Sequence, residues 1–85
     1  MEWDISRAGI RAAAERRARI HRWQAPGRAR VVHPAHGSVV VPHSSNLAAI
    51  LNAAEVWGCD WTEIRDAKVW AAPGEKAVPM PTLYK

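Results

Sequence analysis

The stretch from Ser44 to Trp70, SSNLAAILNAAEVWGCDWTEIRDAKVW, constrains the fold more than any other part of this chain. Ser44 or Ser45 can cap a helix start, because a serine hydroxyl accepts from an N–H that the first turn leaves unpaired. Winding the residues after this cap at helical pitch gathers Leu47, Ile50, Leu51, Ala53, Ala54 and Trp57 on one arc, with Ala48, Asn52 and Glu55 opposite. Gly58 then falls where a helix end needs a left-handed residue. Asp60 with Glu63 forms a second start signal two residues later. A helix, a tight turn and a second capped start are therefore expected. The third segment has two readings. In one it stays helical to Trp70. In the other a single turn reaches Asp66 and a strand covers Lys68–Ala72, which suits Val69 and Trp70.

Upstream, Asp4 is a plausible cap for a first helix over Ile5–Trp23, rich in Ala and Arg and weakened only by Gly9. One half of that helix collects Ile5, Gly9, Ile10, Ala13, Ala14 and Ile20. The other half collects Arg7, Arg11, Glu15, Arg19 and Arg22. Glu15 is placed to support both Arg11 and Arg19 at a spacing of four. Arg16 and Arg17 fall inside or beside the apolar arc, their stems covering apolar surface or marking a face meant for a partner. Ala25-Pro26-Gly27 ends the helix. Two valine-rich runs come next, Arg28–His33 and Ser38–Pro42, joined by Pro34-Ala35-His36-Gly37, which reads as a hairpin turn closed by a left-handed glycine.

The expected fold is a small single α+β domain over residues 1–74: helix, β-hairpin, helix, then a short helix or strand. Residues 75–85, EKAVPMPTLYK, contain two prolines and form an extended or loose tail. Eighty-five residues support one modest core. Cys59 is the single cysteine, which excludes an internal disulfide and fits a cytoplasmic setting. No apolar run approaches the about 20 residues of a membrane span.

Charge is unevenly placed. The net charge is +4, and eight of the twelve basic residues lie between Arg7 and Arg30, all of them arginine. The arginines Arg7, Arg11, Arg19, Arg22, Arg28 and Arg30 suit bidentate contacts to phosphate or carboxylate. Five tryptophans exceed what a core of this size must hold, so Trp61 or Trp70 is a candidate exposed anchor. His33, His36, His43 and Cys59 match no common structural-zinc spacing, so no metal and no cofactor are expected. Catalysis finds little footing: there is no nucleophile elbow and no phosphate-cradling glycine loop, and no carboxylate pair stands apart from helix caps.

The residues Ile50–Val69, ILNAAEVWGCDWTEIRDAKV, resemble the helix-turn-helix family: Ala54 where the helices would cross, Gly58 in the turn, Ile64 beyond it, and Trp57 and Trp61 on either side. The resemblance implies a dimeric DNA-binding regulator reading bases with Thr62, Arg65 and Lys68. That segment also carries Asp60, Glu63 and Asp66, an unfavourable balance against phosphates. In size and character the whole chain is similar to small phage or mobile-element accessory proteins of the anti-CRISPR type. The expected function is thus that of a non-enzymatic binding protein on a protein subunit of a nucleic-acid-handling complex, or on nucleic acid directly, with a homodimer and a homo-oligomeric assembly component as further forms.

Overall fold

The computed structural model describes the backbone of residues 2–81 and the side-chain surroundings of residues 11–81. Helix α1 spans Glu2–Trp23, β1 spans Gly27–His33 and β2 spans Gly37–His43. Helix α2 spans Asn46–Trp57, a 3₁₀ turn covers Trp61–Ile64, and β3 spans Lys68–Ala71. The strands form one antiparallel sheet in the order β2-β1-β3. The fold is the expected α+β arrangement, and the strand alternative holds for the last element. Helix α1 begins before Asp4, so the cap expected there lies inside the helix.

Local chemistry sets these boundaries. The Ser45 hydroxyl accepts from the Ala48 N–H (3.1 Å) and opens α2. Gly58, at φ 70°, closes it, and the Cys59 N–H reaches back to the Ala54 carbonyl (3.0 Å). Asp60 caps the 3₁₀ turn, and Glu63 reaches back to the Asp60 N–H, so the capping box is complete. Helix does not continue past Ile64. Val69 and Trp70 instead pair with Val31 and Arg30 of β1, where β-branched and aromatic side chains pack well on a pleated surface.

Ala29, Val31, Val39 and Val41 point to one face of the sheet and are buried there with Ala49, Ile50, Ala53 and Ala54 of α2, Ile64 of the 3₁₀ turn and Trp23 of α1. The alanines let α2 lie close to the sheet. Gly27 is needed for a different close approach: a Cβ there would stand 2.4 Å from the His43 carbonyl oxygen across the hairpin.

The second face is crossed by residues 72–81, which have no regular structure of their own. Ala72 still donates to Arg28 O (3.0 Å); Glu75 pairs with Arg30; Val78 donates to Val40 O (3.0 Å) on the outer strand β2; and Pro81 O accepts from Arg19. The tail is thus an extended strap as far as Pro81. Through Val78 it supplies the exposed edge of β2 with a backbone partner.

Among the described side chains, helix α1 joins the body through its last turns. Twenty-two residues make a rod of about 33 Å, which accounts for the elongated 47 × 26 × 24 Å envelope. The docking face is not the apolar arc. Of that arc, Ala14 is exposed and Ile20 is 44% exposed, while Ile5, Gly9 and Ile10 lie outside the described side chains. The contact is made by Trp23 and two arginines, because a carboxylate on α2 faces them.

That carboxylate is Glu55. Its Oε1 accepts from Arg19 Nε (2.6 Å) and Trp23 Nε1 (3.1 Å), and its Oε2 accepts from Arg22. Beside it, the fully buried Asn52 accepts from Arg22 Nε (2.7 Å) and donates to Pro42 O (3.0 Å). Removing one member of so enclosed a network leaves the others desolvated and unpaired. Glu55→Gln is therefore expected to destabilise the fold by about 2 kcal/mol in urea unfolding. Glu15→Gln, at an exposed position, is expected to stay within about 0.5 kcal/mol.

Candidate functional site

The arginines separate into two sets. Arg19 and Arg22 turn inward to Glu55, each about four-fifths covered. Arg28 lies at the start of β1 and donates to the carbonyls of Ala25 (3.0 Å) and Gly27 (2.9 Å). These three, read from the sequence as partner contacts, serve intramolecular acceptors in this structure. Arg19 also leaves Glu15, its expected helical partner, for Glu55. Arg11, Arg16 and Arg17 are exposed on the free part of α1, and none pairs with a described carboxylate. Arg7 lies outside the described side chains.

A second grouping lies on the sheet face opposite α2. Because side chains alternate along a strand, Val69 packs toward the core, and Lys68 and Trp70 project from the other face. Trp70 stands directly across from Arg30 in the register and is 58% exposed, more than any other large hydrophobic residue among those described. Arg30 donates to Glu75 and lies near the Ser38 hydroxyl (3.4 Å). Trp61, on the 3₁₀ turn, is less open, at 39%.

The residues Thr62, Arg65 and Lys68 do not share a helix. Thr62 belongs to the 3₁₀ turn, where both its N–H (2.9 Å) and its hydroxyl (2.8 Å) donate to Asp60 Oδ1. Arg65 comes directly after that turn, and Lys68 opens β3. A four-residue 3₁₀ turn and a strand occupy the place of a reading helix, because sheet pairing with β1 wins over helical continuation.

The histidines join the hairpin tip to the body. His36 stacks on Trp57 (ring centroids 4.9 Å apart, planes 11° from parallel). His33 Nδ1 accepts from the Ala35 N–H (3.1 Å), which leaves the proton on Nε2 to donate to Asp66 (3.2 Å). His43 contacts the Asn46 side chain (3.1 Å). Among the described residues, no three His, Cys, Asp or Glu side chains are placed to hold one metal ion. Nor is any described helix long and apolar enough to cross a membrane.

Two residues that organise this region do not stand out in the sequence: Glu55 and Asn52. The one signal present is that Glu55 is the single charged residue of α2, set on its polar side, while α1 supplies an excess of arginine. No protein-family model, curated protein or solved structure matches this chain.

Partial burial, with the Glu63 and then the Asp60 carboxylates nearby, raises the Cys59 thiol above its ordinary range. Asp60 moves the other way, held down by the hydrogen bonds from Thr62. The fold thus favours the neutral thiol, and that contribution is full below the ordinary thiol pKa and fades as pH rises through the raised value. Alkylation of Cys59 by iodoacetamide at about pH 8, monitored by mass spectrometry, is expected to be slower than for a cysteine in a short peptide. Glu63→Gln is expected to narrow the gap.

Proposed function

We propose that this chain is a non-enzymatic binding protein that occupies a surface of a nucleic-acid-handling complex, with the free part of α1 as its contact. The observation that carries this reading is a helix anchored at one end, holding Arg11, Arg16 and Arg17 clear of the body with no described carboxylate to neutralise them. Arginine in such a setting binds phosphate or carboxylate bidentately. In the narrowest form of the reading the complex is a CRISPR effector. A net charge of +4 does not mimic DNA, so inhibition there is steric or works through arginines on acidic patches.

The test is fluorescence anisotropy of labelled random DNA at about 50 and 200 mM salt. Three phosphate contacts would weaken binding roughly 40-fold across that range. Replacing Arg11, Arg16 and Arg17 together by Ala is expected to abolish the salt-sensitive binding. No binding at the lower salt removes direct phosphate contact and assigns the same arginines to an acidic protein patch.

A second reading, homo-oligomeric assembly, is supported by the exposed Ala14 and Ile20 on α1, since apolar helical positions left exposed are available to another copy. It predicts a dimer by light scattering at about 50 µM protein, converted to monomer by Ile20→Glu.

A further inference from the structure

The sheet has one face sealed by α2 and one face only half covered. On the half-covered face the strap passes Arg30 of β1 and the edge of β2 and ends against α1, while Lys68 and Trp70 of β3 stay exposed. That exposed part holds a large aromatic, Trp70, with Arg30 directly across the ladder and Lys68 two residues before Trp70 on the same face. The acid that reaches this surface is Glu75, on Arg30.

We propose that this face is a binding platform for single-stranded nucleic acid: a base stacks on Trp70 while Arg30 and Lys68 hold the adjacent phosphates. The chemistry selects the occupant. A flat aromatic surface exposed on a sheet accepts a base from a strand whose bases are free, whereas a duplex keeps its base faces stacked on one another. The cations give the surface the opposite sign to a phosphate backbone. An acidic peptide would find the charge but would leave the indole without a planar partner. Trp61 does not share the role, because it belongs to the 3₁₀ turn and not to β1 or β3.

Glu75 gives the site a regulator of its own. The Arg30–Glu75 pair is exposed on both sides, 41% and 45%. A carboxylate held so loosely competes with an incoming phosphate for the same guanidinium, and the phosphate must displace it. The strap therefore lowers affinity as it stands, and neutralising Glu75 raises it.

The inference rests on the reading of the chain as a partner of nucleic-acid-handling machinery, but it uses a different surface from α1, so the two fail separately. The test is anisotropy of fluorescein-labelled dT15, rU15 and a 15-base-pair duplex with the full-length chain at about 50 mM salt. Four proteins are compared: wild type, Trp70→Ala, Trp61→Ala and Glu75→Gln, each checked by circular dichroism for an unchanged fold. Wild-type binding to dT15 or rU15 that weakens roughly tenfold in Trp70→Ala, stays within about twofold in Trp61→Ala and tightens in Glu75→Gln supports the site. The dT15 and rU15 arms then say whether the strand taken is DNA or RNA. Single-strand binding insensitive to Trp70→Ala overturns the site, as does binding confined to the duplex. If in that case the triple arginine variant of α1 still abolishes binding, the proposed function survives without this platform.

Discussion

The Glu55 carboxylate, backed by Asn52, is the interaction on which the rest of the arrangement depends. It gathers Arg19, Arg22 and Trp23 of α1 at a point where the end of β2, through Pro42, is held by the same asparagine. Burying these groups is costly unless every donor and acceptor is matched. Here they are matched: no enclosed side-chain nitrogen or oxygen among the described residues lacks a partner. The polar cluster specifies where α1 sits as a purely apolar contact would not, because the guanidinium forks and the amide each accept one geometry. The strap joins the same point, its Pro81 carbonyl accepting from Arg19.

Docking through Glu55 also shapes the surface. With the contact made by two inward arginines and Trp23, Ala14, Ile20, Arg11, Arg16 and Arg17 of α1 are left exposed. A helix docked through its apolar arc would have lain across the sheet or α2 with its charges spread along the solvent side. The structure instead divides one arginine run: Arg19 and Arg22 build the fold, while Arg11, Arg16 and Arg17 are left exposed. Cationic contact and self-association both become possible through that separation.

The sheet shows a similar division. A three-stranded sheet needs at least one face covered to stand, and the alanine-rich side of α2 covers one closely. The other is crossed by a strap held by backbone hydrogen bonds, one ion pair and the packing of Val78 against the core. That course leaves room for Trp70 beside Arg30. The hairpin tip is held separately, by the His36–Trp57 stack and the His33–Asp66 contact, so the open face is framed by fixed elements.

Much of the architecture was legible in the sequence because its signals are local. Ser45, Gly58, Gly37 and the Asp60–Glu63 box state their positions through caps and turns that need only a few neighbouring residues, and the two valine-rich runs mark the hairpin strands. What could not be read was every contact between residues far apart in the chain. Whether Lys68–Ala71 is strand or helix depends on the open edge of β1, a partner far back in the chain, as the Val31–Val69 pairing shows. Which arginines are structural depends on Glu55, more than thirty residues beyond them. The sequence by itself determined every element but the last, their order and the sign of the surface, since these come from residue type and short-range spacing. Only the tertiary structure decided which face of α1 docks, which cations remain outside and which tryptophan stands open, because a carboxylate chooses among many arginines by position in space, and no local pattern encodes that position.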